Sequence, residues 1–152
     1  MEYENLALLD AHVQERIIKR LTKVAEKGVF VRGDECDLFE AQFAMYLGVK
    51  KFVSLGNCTD SVECALLASN LPVGAKVLMP ANTYIATILA VKNAGCVPVF
   101  FDIPDGSANP DYSVFISNLT DDIAAVIATH FYGNPVLGIE SLADHCNQKK
   151  IL

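Results

Sequence analysis

The chain has 152 residues, long enough for one domain with a real core and too short for two of ordinary size. Apolar residues make up 52% of it, which excludes disorder, and a net charge of -6 with scattered basic residues offers nothing to a nucleic-acid backbone. The start, Met1-Glu2-Tyr3-Glu4-Asn5, lacks the basic and apolar runs of a signal peptide, and no later apolar stretch spans a bilayer, so a cytoplasmic protein is expected.

Val13, Ile17, Leu21, Val24 and Ala25 recur at helical spacing and Gly28 follows as a C-cap, which predicts an amphipathic helix over residues 11–27. A second helix is predicted over residues 34–47, with Asp34 as N-cap, Leu38, Phe39, Phe43, Ala44 and Leu47 as its buried stripe, and Gly48 closing it. The segment 1–48 thus reads as helical.

After Gly48 short apolar runs alternate with helical segments, the mark of a parallel sheet with crossover helices. Strands are predicted at 52–55, 77–79, 97–101 and 124–129, with helices at 59–69, 84–94, 112–118 and 139–147. The strands are continuously apolar, so helices should cover both faces of the sheet. The segment 103–110 is a loop rich in turn formers, and Lys150-Ile151-Leu152 reads as a further strand just beginning. Residues 49–152 therefore read as an α/β sheet domain, one structural unit with residues 1–48.

The five cysteines have irregular spacings and no C-x-x-C pair, so no metal or redox site is indicated. Cys36, Cys64, Cys96 and Cys146 are expected to be small buried apolar residues. Cys58 is set apart by its position.

Two segments that follow strands carry candidate chemistry. In Ser54-Leu55-Gly56-Asn57-Cys58-Thr59-Asp60 a strand ends and a helix begins, and the free amides of a helix start form a site for a phosphate dianion, with the Thr59 hydroxyl as a further donor. The same segment also reads as an ordinary capped helix in which Thr59 or Asp60 serves only as the cap. In Pro80-Ala81-Asn82-Thr83-Tyr84-Ile85-Ala86-Thr87 the Thr83 side chain is a candidate cap, which sets Tyr84 in the first turn of the next helix at the same sheet edge, where open parallel sheets bind ligands. Tyr84 reads either as the aromatic plane for a flat ring or as a packing residue.

The segments Gly28-Val29-Phe30-Val31-Arg32-Gly33, Phe39-Glu40-Ala41-Gln42-Phe43-Ala44-Met45-Tyr46-Leu47-Gly48, Asn57-Cys58-Thr59-Asp60, Pro80-Ala81-Asn82-Thr83-Tyr84, Pro98-Val99-Phe100-Phe101-Asp102 and His130-Phe131-Tyr132-Gly133 occur in the order and spacing of one family. The chain resembles the DegT/DnrJ/EryC1/StrS sugar aminotransferases over almost its whole length.

The resemblance implies the large domain of the fold-type I transferases that depend on pyridoxal 5'-phosphate (PLP), here incomplete at its C-terminus. It implies amino transfer from a donor such as glutamate to a keto group of a nucleotide-linked sugar, in a homodimer. The amides of Cys58 and Thr59 with the Thr59 hydroxyl would hold the cofactor phosphate, and Tyr84 would stack on its ring. Cys58 stands where the family often has glycine. His130, at a strand end, is expected to hydrogen-bond and not to move a proton.

The family's aspartate for the pyridine nitrogen and its cofactor-binding lysine are expected beyond Leu152, which makes the chain as given an inactive portion of the enzyme. Lys92, late in its helix, is read as complementing the helix dipole. Two other readings remain: a non-catalytic association module, and a portion of the family's PLP-dependent sugar dehydratase.

Overall fold

The computed structural model describes residues 10–152, so the acidic start at residues 1–5 lies outside the described residues. Packing divides the chain into a unit that ends at Ser54 and a second that runs from Leu55 to Leu152.

The first unit holds α1 (Ala11–Lys27) and α2 (Asp34–Leu47). Asp10 caps α1 by accepting the His12 amide at 2.8 Å, and Gly28 closes it in the left-handed conformation (φ 67°) that glycine adopts without steric cost. The N-cap of α2 is Gly33 and not Asp34, as Asp34, Glu35 and Asp37 sit inside the first turn, where they complement the helix dipole. Arg20 and Lys23 pair with Glu35, and Lys27 with Asp34, across the two helices.

The stripe expected to be buried is largely open. Ala44 alone of α2 is buried, whereas Leu38, Phe39 and Leu47 are exposed, and no residue of α1 is buried. The strand predicted at 52–55 does not form. Ser54 gives both its amide (2.9 Å) and its hydroxyl (2.6 Å) to the Glu40 carboxylate, so the backbone donor that a ladder needs is taken by a side chain. Phe52 packs edge-on to Phe39 at 5.7 Å and lies 4.7 Å from Phe43.

The second unit runs α3 (Cys58–Ala68), β1 (Lys76–Pro80), α4 (Ile85–Asn93), β2 (Val97–Phe101), α5 (Tyr112–Asn118), β3 (Ile123–Val126) and α6 (Ile139–Lys149). The strands form a parallel sheet in the order β2-β1-β3. Alternation along the central strand separates two cores. Val77 and Met79 face Leu66 of α3 and Val91 of α4, while Leu78 faces Phe115 of α5 and Leu142 and Cys146 of α6. Both faces are covered, as the apolar strands require.

The register slips once between Lys76 and Val77, so Ile123 and Ala125 of β3 pair with consecutive residues of β1. Phe115, fully buried, meets Phe101 edge-on at 5.0 Å. Leu152 extends the ladder past β3: its amide reaches the Ala124 carbonyl at 3.0 Å and its carbonyl takes the Val126 amide at 2.8 Å. Of the four cysteines expected inside, Cys96 and Cys146 are buried, but Cys36 and Cys64 lie on exposed helix faces.

Candidate cofactor site

An open cleft of about 510 Å³ lies where β1 and β3 end and α3 begins. Its walls come from three loops at the carboxyl edge of a parallel sheet, the position at which such sheets bind ligands. Cys58, Thr59 and Tyr84, the three residues expected to hold a cofactor, all line it.

The first wall is the start of α3. Asn57, in extended conformation, is the N-cap in place of Thr59 or Asp60. Its Oδ1 accepts the Asp60 amide at 2.9 Å and its Nδ2 donates to the Asp60 carboxylate at 2.9 Å, while its carbonyl takes the Ser61 amide at 3.1 Å. Among the described residues, the amides of Cys58 and Thr59 and the Thr59 hydroxyl therefore have no acceptor. Three open donors thus sit in the first turn of α3, at the positive end of its dipole and on the cleft wall, an arrangement suited to a phosphate.

The second wall follows β1. Tyr84, not Thr83, occupies the N-cap position of α4, with extended backbone (φ -66°, ψ 140°), no side-chain cap bond and 72% of its surface exposed. Thr83 cannot cap because its side chain is buried and committed elsewhere: Oγ1 donates to Thr87 Oγ1 at 3.3 Å and lies 3.1 Å from Thr129 Oγ1.

The third wall follows β3, which ends at Val126 and not at the predicted 129; the Ile127 amide still reaches the Leu78 carbonyl at 2.9 Å, and beyond it the Thr129 carbonyl accepts the Phe131 amide at 3.1 Å in a turn. His130 Nδ1 accepts the Val136 amide at 3.0 Å, so the imidazole carries its proton on Nε2 and acts as a donor. Tyr132 is exposed and held in the left-handed region (φ 50°, ψ 34°), an uncommon state for a non-glycine residue. Sequence reasoning missed Tyr132 and Thr129 as cleft residues, and it held Thr87 inside the second candidate segment without a role. Backbone strain and hydroxyl pairing leave no periodic trace, and only the position of His130-Phe131-Tyr132-Gly133 after a strand hinted at them.

A PLP-like group fits these walls. Its dianionic phosphate would meet the open donors of α3 and its flat ring the exposed face of Tyr84. Among the described residues no lysine lines the cleft; Lys76 pairs with Asp122, and Lys92 sits in the last turn of α4. No group of three His, Cys, Asp or Glu among the described residues is placed to hold a metal.

Residues 11–152 match the model of the DegT/DnrJ/EryC1/StrS aminotransferase family. The chain is 31% identical over 129 residues to a dTDP-3-amino-3,6-dideoxy-alpha-D-galactopyranose transaminase of Aneurinibacillus thermoaerophilus, covering 85% of this chain and 36% of that protein. It is 34% identical over 137 residues to the erythromycin biosynthesis sensory transduction protein EryC1 of Saccharopolyspora erythraea, covering 89% and 37%. The solved structure of NtdA from Bacillus subtilis with bound cofactor PMP superimposes with a TM-score of 0.82 at 28% identity, over 95% of this chain and 33% of that one. The chain thus spans about a third of the length of the relatives it matches. With the matched region running from the start of α1 to the last residue, the chain belongs to the DegT/DnrJ/EryC1/StrS aminotransferase family.

Proposed function

We propose that this chain is the phosphate- and ring-holding portion of a PLP-dependent aminotransferase acting on nucleotide-linked keto sugars, with glutamate or a similar amino donor. The observation that carries the reading is the pairing, in one cleft, of the open Cys58 and Thr59 donors with the exposed ring of Tyr84. The sugar transaminase among its relatives supports the substrate class.

When bound, PLP supplies an electron sink for the carbon that gains or loses the amino group. The residues here would position it. Cys58 and Thr59 would anchor the phosphate by two amides and a hydroxyl, Tyr84 would cover one face of the ring, and His130 would offer Nε2–H to an acceptor at the cleft rim. The lysine that such enzymes use for covalent attachment and proton transfer has no counterpart in this cleft. The chain alone is accordingly proposed to hold the cofactor weakly and without turnover, in the cytoplasm, and to assemble into a homodimer as the complete enzyme.

The test is titration of the purified chain with PLP and with inorganic phosphate. Thr59→Ala should weaken both by about 1 kcal/mol, the net value of one hydrogen bond. Borohydride reduction with PLP, followed by mass spectrometry, should give no single stoichiometric pyridoxyl-lysine. A Thr59→Ala variant that binds both ligands as the parent does would reject the phosphate site, and one specific adduct with turnover would reject the inactive reading.

A further inference from the structure

Of the four threonines that line the cleft, Thr83, Thr87 and Thr129 join their hydroxyls in a chain apart from Thr59. Thr83 Oγ1 donates to Thr87 Oγ1 at 3.3 Å, and Thr83 Oγ1 and Thr129 Oγ1 are 3.1 Å apart. A threonine hydroxyl has one proton and two acceptor sites. Since the Thr83 proton goes to Thr87, the proton between Thr83 and Thr129 has to come from Thr129. The chain therefore runs in one direction, Thr129 to Thr83 to Thr87. It delivers an acceptor contact to Thr87 and leaves the Thr87 proton with no acceptor among the described residues.

Thr83 is 8% exposed and tied to the ends of both strands, so it fixes the near end of this chain, whereas Thr87 is only half-buried and lies at the cleft wall. Thr87 also stands three residues after Tyr84, on the same side of the start of α4, and across the cleft from the donors of α3. A hydrogen-bond donor in that place shares the α4 wall with Tyr84 and stands on a different wall from the α3 donors, which suits it to the ring more than to the phosphate.

We infer that Thr87 is a binding residue whose hydroxyl, oriented by Thr129 and Thr83, donates to the phenolic oxygen on the cofactor ring. The inference rests on the PLP reading of the cleft. The phenolic oxygen is the preferred acceptor because it is anionic when ionised, and hydrogen bonds to ionised acceptors are the stronger kind.

The probe is 4-deoxypyridoxine 5'-phosphate, which keeps the ring, its phenolic oxygen and the phosphate but has no aldehyde to react with surface lysines; inorganic phosphate is the control. Thr87→Val keeps the shape and removes the donor, and should weaken the probe about five- to tenfold while changing phosphate binding less than about twofold. Thr87→Ser keeps the donor and should stay within about twofold of the parent for both. Thr129→Val should show a smaller, ring-specific loss of about two- to threefold, because Thr87 then loses its fixed orientation. Equal binding of the probe by Thr87→Val and the parent, or an equal loss on inorganic phosphate, would overturn the role of Thr87 alone. A parent chain that binds phosphate but gains nothing from the ring of the probe would overturn the cofactor reading, and the inference with it.

Discussion

Replacing Tyr84 by alanine separates a ring-binding role from a structural one. The side chain is 72% exposed, and it makes no cap bond at the start of α4. Its truncation therefore removes little packing, and thermal or denaturant stability should change by no more than about 0.5 kcal/mol. The face that the ring presents to the cleft has a different value. An aromatic pair contributes about 1 kcal/mol beyond simple area burial, so Tyr84→Ala should weaken 4-deoxypyridoxine 5'-phosphate about fivefold or more. Inorganic phosphate, which touches only the start of α3, should bind as before. Tyr84→Phe keeps the face and should restore the ring affinity. Calorimetric titration of the three proteins with the two ligands, alongside their unfolding midpoints, gives the comparison. Equal losses for both ligands in Tyr84→Ala, or a fall of 2 kcal/mol or more in stability, on the scale of a truncated core residue, would refute the reasoning and make Tyr84 a support of the fold.

Gly138 has a φ of +75°, and a Cβ there would lie 2.9 Å from Tyr112 Cβ, whereas Gly106, at +74°, has open space around it. Gly106→Ala should cost about 1–2 kcal/mol for the left-handed backbone alone, and Gly138→Ala about 1–3 kcal/mol more for the clash; equal costs in urea unfolding would show that Tyr112 yields freely. The Asp111 carboxyl is held below its ordinary value by the Ser113 hydroxyl and then by the Val114 amide. Its folded value being lowered, its contribution is present above the ordinary carboxylate value of about 3.9 and is lost as pH falls through the lowered one. Asp111→Asn keeps the cap of α5, so its stability difference from the parent should shrink between pH 7 and pH 3, and a constant difference would argue against the ionised cap. The outer edge of β2 has no partner strand among the described residues, and Val97 and Phe100 on it are exposed, as are Phe39, Met45 and Tyr46 of α2. Self-association at micromolar concentration is expected from such an edge and such a face, and light scattering that shows a single compact monomer would contradict it.

What the sequence made legible follows from which signals are periodic. The helices α1 and α2 have the predicted bounds because apolar spacing and the glycines at 28 and 48 mark them directly. The strand near Phe52 failed on the same criterion that found the others. A four-residue apolar run says nothing about whether its amides are free, and Glu40, twelve residues back from Phe52, claims the Ser54 amide. The exposed stripe of α2 failed for another reason: periodicity gives the side of a helix that seeks cover but not where the cover comes from. At the cleft, Tyr84 was legible through a strand-to-helix transition and family resemblance, and Cys58 and Thr59 through a helix start and the same resemblance, although the strand read before them does not form. The caps were not, since Asn57, Thr59 and Asp60 are all residues that cap helices well and only the folded structure shows which one does.

That choice of cap decides what the cleft can bind. A side chain at the cap satisfies an amide two or three residues into the helix, so the cap position selects which amides are left over. Had Thr59 been the cap, its hydroxyl would have accepted from a later amide and its own amide would have stood before the helix. With Asn57 in that place, the Asp60 amide is the one satisfied, and those of Cys58 and Thr59 remain open at the cleft with the Thr59 hydroxyl beside them. The Asn57 side chain also donates to the Asp60 carboxylate, which ties the one negative charge of the first turn into the cap itself. Thr83 obeys the same rule at the second wall. Its hydroxyl is withdrawn into contact with Thr129 and Thr87, so α4 starts without a side-chain cap, and Tyr84 stands at the cap position with its ring exposed. At these two walls a group is thus left open to the cleft because a neighbouring polar side chain is engaged elsewhere. Asn57→Ala should consequently lower stability by about 1 kcal/mol and also weaken phosphate, since the Asp60 carboxylate loses its partner and adds unbalanced charge to the first turn. Loss of stability with phosphate affinity unchanged would show that the Asn57 and Asp60 pair serves the helix alone.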